Sequence, residues 1–230
     1  FYFKDMKNKV SGKVNFDNYE EFIDIYIENF IYDNNNFTAE IRYNYDENIN
    51  VSIDSGTLNL DTFLNSNSKD NTNFDITAKL DNLILFDEFY LQNSSLDYKY
   101  ENNSLSYFDI YGNYFGKEIF KLKCLKKEGN NLINEYFLSA SDAGKFFQSL
   151  NYNTEINGGY FSSEGYFGNL DNDNNIMGTV SIDNFRIMKA PIFAELLLAA
   201  SLTGLLDVLN NDGIEFEQFD AQYFGKDDVY

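Results

Sequence analysis

The sequence contains no histidine and no tryptophan, and it has one cysteine and one proline in 230 residues. Without histidine, a hydrolytic triad lacks its usual general base and a thiolate–imidazole pair cannot form. The single cysteine, Cys124, excludes an intrachain disulfide and a metal site built on clustered thiolates, and we expect it to be a small buried hydrophobic residue. We therefore predict that the chain has no catalytic residues, no cofactor and no metal site.

Positive charge is also scarce, because 17 Lys and Arg face 37 Asp and Glu and the net charge is −20. Proteins bind phosphate backbones through Lys and Arg that release counterions, so the composition argues against a nucleic-acid partner. It argues equally against adhesion to an anionic membrane through charge alone. A charge of this size is typical of a solvated surface that keeps an aromatic-rich protein soluble.

One acidic run, Asp171 to Asn175, resembles the beginning of a calcium-binding loop. The glycine that such a loop needs next is replaced by Ile176, and the twelfth position is Ile182 instead of a glutamate. We interpret the run as a solvated turn.

Residues that favour β-strands are abundant, with 18 Tyr and 23 Phe. Two stretches alternate apolar and polar residues cleanly, which is typical of strands with one apolar and one polar face. The apolar positions are Phe37, Ala39, Ile41 and Tyr43 in the first stretch and Phe74, Ile76, Ala78 and Leu80 in the second. The fold class predicted is mainly β, with repeated antiparallel strands in an elongated curled sheet or open groove.

Polar turns separate the strands at Asp33–Asn36, Glu101–Ser104 and Glu128–Asn131. Apolar residues change parity between Ile182 and Phe185, which predicts a bulge at Asp183–Asn184. A short helix is predicted at about 142–150, with Ser141 as its N-cap.

The stretch Ala190–Gly213 is the only long run of good helix formers, and it predicts an apolar helix at about 191–210. Pro191 suits the first turn, and Gly213 suits a left-handed stop. Its few polar residues do not gather on one side, which indicates a helix that is buried nearly all round. The apolar run between Glu195 and Asp207 is shorter than the ~20 residues that span a bilayer.

The sequence FRIMKAPIFAELLLAASLTGLLDVLNNDGIEF, at Phe185 to Phe216, resembles the C-terminal region of bacterial AsmA-like proteins of the cell envelope. The resemblance covers about 141–230 and divides the chain into a β-repeat groove segment, 1–140, and an AsmA-like C-terminal region, 141–230. The positions that carry it, in the predicted apolar helix and its flanks, are Ala190, Pro191, Leu196, Leu197, Ser201, Leu202, Thr203, Gly204, Leu205, Gly213, Ile214 and Phe216.

The resemblance implies a non-enzymatic segment that shields phospholipid acyl chains in an apolar β groove, for transport between inner and outer membrane. It also implies a periplasmic location in a protein anchored to the inner membrane, and contacts with other envelope proteins. Because the chain opens without an initiator methionine or a signal pattern, we expect a segment of a longer protein whose anchor lies elsewhere. Membrane contact would then be made through that anchor or through the chain ends.

Two other functions stay open on the sequence. A structural or adhesive β-repeat protein of the envelope needs apolar faces that are fully packed, with no open strip. A carbohydrate-active enzyme needs two carboxylates that converge in a cleft beside aromatic platforms.

Overall fold

A computed structural model of the protein describes residues 2–4, 8–16, 22–44, 48–60, 72–86, 89–127, 133–152, 155–170, 173–188 and 213–226. These residues form one 13-stranded sheet in which the strands follow one another in sequence order. The strands are β1 (Tyr2–Lys4), β2 (Lys9–Phe16), β3 (Phe22–Tyr32), β4 (Asn35–Asn44), β5 (Asn48–Asn59), β6 (Asn73–Phe86), β7 (Phe89–Glu101), β8 (Ser104–Tyr114), β9 (Glu118–Lys126), β10 (Ile133–Ala140), β11 (Ile156–Leu170), β12 (Asp173–Ile187) and β13 (Ile214–Lys226). One complete helix, α1 (Ala143–Ser149), lies between β10 and β11.

The mainly β class predicted from the alternation is confirmed, but the uniformly antiparallel pairing is wrong at one place. Strands β5 and β6 pair in parallel, with Val51 opposite Ile76 and Ile53 opposite Ala78. Parallel neighbours need a crossover in place of a tight turn. The Asn- and Ser-rich segment between these strands, which was predicted as a loop, lies outside the described residues.

The expected curl is also not observed, because the strands form a long, open and uncurled sheet. Bulges are the usual means by which a sheet is bent. Register shifts occur in strand pairs between β2 and β8, whereas the pairs from β8 to β13 have none. The sheet runs without interruption past residue 140, where the resemblance divides the chain.

Two of the predicted turns are observed as tight hairpins. Asp33 and Asn34 have φ of 43° and 64°, and Asn102 and Asn103 have φ of 51° and 57°. A two-residue hairpin with both central residues at positive φ matches the right-handed twist of the strands, and Asn and Asp tolerate this conformation best.

The bulge predicted at Asp183–Asn184 is wrong as a register shift, because β12 keeps a continuous register with β11 and with β13 across this point; Asn184 instead takes a left-handed conformation with a φ of 53°. Ile182 and Phe185 are both buried on the same side of the sheet, at 5% and 6% exposure. The left-handed residue thus changes the parity of β12 while keeping both apolar side chains in the core.

The short helix is confirmed, but its N-cap is Asp142 and not Ser141. The Asp142 carboxylate accepts a hydrogen bond from the backbone N–H of Lys145 at 3.0 Å. The Ser141 hydroxyl instead accepts from the Ile119 N–H and donates to Glu118. A carboxylate accepts the N–H of the first turn as readily as a hydroxyl does, so local sequence did not separate the two.

The apolar helix predicted at about 191–210 lies outside the described residues, and the structure describes one helix where two were predicted. Gly213, predicted as the left-handed stop of that helix, has a φ of 71°. Ile214 then begins β13 opposite Ile187, and the Phe216 ring stacks on Phe185 with ring centroids 5.2 Å apart.

Candidate functional site

One side of the sheet, which we call the apolar face, carries a row of packed aliphatic side chains. Ala39 faces Ile53, Ile53 faces Ala78 and Ala78 faces Leu96, and the row continues through Ile110 on β8. All five are buried, with exposures between 1% and 7%. This row is the central part of a hydrophobic core that spans β4 to β12.

The next two rows on the apolar face are only half-buried, and together we call them the open strip. The first of them crosses β3 to β8 through Ile25, Ile41, Val51, Ile76, Tyr98 and Phe108. The second crosses β3 to β7 through Ile23, Tyr43, Ile49, Phe74 and Tyr100. Each of these side chains keeps part of its surface accessible to solvent. The apolar face therefore changes from a buried core to a partly accessible surface over two residues along each strand.

The structure divides the eight predicted groove residues into two groups. Phe37, Ala39, Ala78 and Leu80 are buried at 4% to 7% exposure and belong to the packed core. The other four belong to the open strip, where β5 brings Ile41 and Ile76 into one row and Tyr43 and Phe74 into the next. The parallel β5–β6 pair therefore places the two alternating stretches side by side on the same face.

Sequence reasoning missed the residues that join these two stretches. Val51 and Ile49 lie between them on β5, and Tyr98 extends the strip onto β7, with its ring edge-on to Phe108 at 6.1 Å between centroids. Both strands show the alternation in the sequence. What the sequence does not show is which strands are neighbours, and this decides which residues form a row.

Beyond the packed row, the apolar face is sealed by α1. Phe146 packs against Phe89, Phe120 and Phe161 with ring centroids 5.1 to 6.0 Å apart. The helix is tied to the sheet by Tyr114, whose hydroxyl donates to the Asp142 carbonyl at 2.7 Å and accepts from the Asp142 N–H at 2.9 Å. Burial raises the pKa of Tyr114 to about 12, so this anchor stays protonated at neutral pH.

Beyond β8, the first row of the strip continues through the buried residues Cys124 and Tyr136 to a pair of glycines covered by tyrosines. Gly165 and Gly178 face each other across β11 and β12, with Tyr136 and Tyr223 as their outer neighbours. Both tyrosine hydroxyls meet Ser163, at 3.4 Å from Tyr136 and 3.1 Å from Tyr223. Ser163 in turn donates to the Thr179 carbonyl at 2.9 Å. This row therefore ends, on β10 to β13, in a closed polar cluster whose hydroxyls have hydrogen-bond partners.

The opposite side of the sheet is polar over β3 to β6. Arg42 makes a two-point ion pair with Asp24 at 2.7 and 3.2 Å, and its guanidinium lies over the Phe22 ring. Hydrogen bonding to Asp24 raises the pKa of Arg42 above its ordinary value. The predicted exposed lysine face of β9 is present too, with Lys121 and Lys123 above tyrosine rings on β8. One side of the sheet is thus apolar and the other carries the charge.

Cys124 is a buried core residue as predicted, at 6% exposure. Burial raises the pKa of its thiol to about 11, so it carries no thiolate at neutral pH. In the part of the chain that the structure describes, no three potential metal-ligating side chains gather. Within the same residues, no helix has both the length and the apolar character needed to cross a membrane.

Comparison with known proteins gives no relative: no family model, no curated protein and no solved structure matches this chain. The resemblance to AsmA-like proteins stays a prediction that depends on the residues quoted for it.

Proposed function

We propose that the chain is a non-enzymatic segment that shields phospholipid acyl chains along its open strip, as part of a cell-envelope protein. The observation that carries the proposal is the open strip itself. Eleven large apolar side chains are aligned row by row across six strands and stay partly accessible beside a buried core. An ordinary core would bury such residues as it buries Ala78 and Leu96.

The size of the strip suits an acyl chain. Six strands spaced about 4.8 Å apart cover roughly 24 Å, which exceeds the ~15 Å of one leaflet of a bilayer's hydrocarbon core. Transfer of a 16-carbon chain through water would cost ~13 kcal/mol at ~0.8 kcal/mol per methylene. Contact with an apolar strip along its whole length removes most of that cost.

The charge distribution supports the same function. Phospholipid headgroups stay in water, so only the acyl chains need to contact the protein. Binding of an acyl chain requires no basic residues, and the scarcity of Lys and Arg is therefore compatible with it. The proposal includes a periplasmic location and transport between inner and outer membrane, both taken from the AsmA-like resemblance.

The test is photocrosslinking of lipid to adjacent residues of β6. Ile76 lies in the open strip, and its neighbour Thr77 points to the opposite, polar side. A photoreactive amino acid at position 76 should crosslink phospholipid when the chain is expressed in bacteria, and the same amino acid at position 77 should not. Mass spectrometry of lipids that co-purify with the unmodified chain identifies the class bound.

A matched pair of substitutions completes the test. Ile41→Asp places a charge in the strip and should abolish lipid co-purification, while Thr38→Asp on the polar side of the same strand should leave it unchanged. Equal crosslinking at positions 76 and 77, or no phospholipid with the unmodified chain, contradicts the proposal.

A structural β-repeat protein is the second candidate, and the packed row favours it. Ala39, Ile53, Ala78, Leu96 and Ile110 are as buried as the core of an ordinary β-sandwich. If this candidate is correct, Ile41→Asp lowers stability and changes nothing in bound lipid, because none is bound by the unmodified chain.

A further inference from the structure

A groove crosses the polar side of the sheet from β10 to β13, on the reverse of the glycine pair. Its volume is about 600 Å³, which lies within the range of small-ligand sites. The backbone of Gly165 and Gly178 forms part of its floor, while the tyrosines that cover these glycines lie on the apolar face. The groove is therefore walled by the alternate side chains of each strand, which point away from the apolar face.

At the β10–β11 end of the groove, two acidic and two aromatic side chains alternate at the corners of a small square, which we call the acidic–aromatic square. Glu135 faces Tyr166 across the two strands, and Phe137 faces Glu164. Each carboxylate therefore has a ring beside it both along its own strand and on the neighbouring strand. Strands lie about 4.8 Å apart and alternate residues of a strand about 6.8 Å apart, so the square has room above its centre for one small group.

Among the described residues, the carboxylates of the square have no counter-charge and lie beside exposed apolar surface. No lysine or arginine there lies within ion-pair distance of Glu135 or Glu164. Phe137 is 44% exposed although it lies on the polar side, and Met177, which faces Tyr166 from β12, is 43% exposed. Apolar side chains that are grouped and exposed in this way are typical of a surface that binds a partner.

One ring of the square already holds a cation. The ammonium group of Lys127, the residue that follows β9, lies 4.1 Å from the centroid of the Tyr166 ring. The negative face of an aromatic ring attracts such a group, and proteins use the same attraction to bind quaternary ammonium ligands. An anion would be repelled by Glu135 and Glu164, and an uncharged molecule would gain nothing from their charge. The rings and the carboxylates of the square therefore both select a cation.

We propose that the acidic–aromatic square binds the ammonium group of a small water-soluble compound, and that Lys127 competes with it for the Tyr166 ring. The positive charge of the compound is attracted by Glu135 and Glu164, and its alkyl groups contact the rings of Phe137 and Tyr166. The open strip lies on the other side of the sheet, so this proposal does not depend on lipid binding.

The probe is choline, added to the full chain in ~150 mM NaCl so that distant charges are screened. The NMR chemical shifts of backbone amides should change saturably at Glu135–Phe137 and at Glu164–Tyr166. The uncharged analogue 3,3-dimethylbutan-1-ol, which has the same shape, should bind at least about tenfold more weakly. Glycerophosphocholine separates a free compound from a lipid headgroup, because its phosphate is repelled by the two carboxylates and should weaken binding about threefold or more.

Substitutions in the square test both kinds of contact. Phe137→Leu keeps an apolar side chain and removes the ring, and it should weaken choline binding about threefold or more. Glu164→Gln should weaken choline binding by a similar factor, because it removes a negative charge. The control for the charge is Asp75→Asn, at an exposed position on β6, four strands from β10, which should change binding by less than about 1.5-fold. The control for the ring is Tyr90→Leu on β7, whose ring is also exposed and which should leave choline binding unchanged.

A third substitution, Lys127→Gln, should act in the opposite direction. It removes the cation that competes for the Tyr166 ring, and it should strengthen choline binding about twofold or more. A site that only needed its surroundings intact would not bind more tightly after the loss of a neighbouring side chain.

Four results would overturn the proposal. One is the absence of saturable shifts with choline, and another is equal binding of the uncharged analogue, which would mean apolar contact alone. The third is tighter binding of glycerophosphocholine than of choline, which would assign the square to a lipid headgroup. The fourth is choline binding that Lys127→Gln does not strengthen, which would show that Lys127 is not a competitor.

Discussion

Gly165 and Gly178 face each other at the point where Tyr136 and Tyr223 close over β11 and β12. A Cβ atom on Gly178 would overlap with the Glu164 carbonyl oxygen and the Tyr136 hydroxyl. The glycines leave room for the rings of the neighbouring strands, and the rings shield the glycine backbone. This arrangement needs glycine for space, because no positive φ is required at either position.

Gly178→Ala should therefore destabilise the protein by about 1–3 kcal/mol, because one strand or the Tyr136 ring must move to admit the methyl group. Urea unfolding monitored by tyrosine fluorescence measures the change. Thr179→Ala, at the exposed adjacent position, is the matched control and should stay within about 0.5 kcal/mol of the original chain. Equal stability of the two variants would show that the Tyr136 ring can move aside without lowering the free energy of unfolding.

Burial also separates residues that the sequence pattern treats alike. Ile41 and Ala39 are two positions apart on β4 and point to the same side, yet Ala39 is buried in the core and Ile41 is only partly buried. Alternation specifies the side of the sheet on which a residue lies. How deeply it is covered there depends on what the rest of the chain places above it.

Among the elements, α1 is a short helix that depends on its anchors. Seven residues are too few for a helix to be stable alone in water. Phe146 supplies the packing, and Lys145 supplies an ion pair to Glu118 on β9 at 2.6 Å and another to Asp142 at 3.2 Å. The helix is therefore held on the sheet by one aromatic cluster and one group of charges.

The Glu118 contact should make the stability of this element depend on pH. Hydrogen bonding to Lys145 holds the pKa of Glu118 below its ordinary value. As the pH falls, Glu118 is therefore protonated in the unfolded chain before it is protonated in the folded chain. The stabilisation that the contact gives to the folded state is complete above the ordinary glutamate pKa of about 4.3, and it is lost as the pH falls through the lower pKa of Glu118 in the folded state.

Glu118→Gln should cost at most about 1 kcal/mol at neutral pH, since Lys145 is partly exposed and water screens the pair. The difference from the original chain should shrink toward zero by about pH 3. Denaturant unfolding over this range measures both quantities, with Glu164→Gln, an exposed carboxylate with no described ion pair, as the control. A difference that stays constant with pH would assign the effect to packing.

Several elements were predictable because their signals are local. Asn and Asp at positive φ mark the hairpins at residues 33–34 and 102–103, and the parity change in β12 marks Asn184. The parallel β5–β6 pair and the N-cap of α1 were not predictable. The first depends on which strands become neighbours. The second depends on which of two adjacent side chains, Ser141 or Asp142, forms hydrogen bonds with β9 and is then not the cap.

At the scale of the whole molecule, the dominant feature is net charge on an extended sheet. The chain carries 37 acidic against 17 basic residues, and the salt bridges in the described residues link only a few of them. Repulsion between the remaining carboxylates opposes the folded state, in which they are closer together than in the unfolded chain.

Added salt should consequently stabilise the protein. We expect the melting temperature to rise by about 2–4 °C between ~10 mM and ~300 mM NaCl, which corresponds to about 1 kcal/mol for a chain of this size. A variant with three exposed carboxylates neutralised, Asp54→Asn, Glu164→Gln and Glu217→Gln, should respond less. A melting temperature that falls with salt would show that the ion pairs outweigh the repulsion.

The sequence by itself determined the mainly β class, the side on which each alternating residue lies, the hairpin turns and the absence of histidine chemistry, because each depends on residue type and near neighbours. Only the tertiary structure decided that Ile41 and Ile76 share one row, that Phe37 and Leu80 belong to the core, and that β5 and β6 pair in parallel. Strand order and covering depend on contacts between residues far apart in the chain. A two-residue alternation carries no information about those contacts.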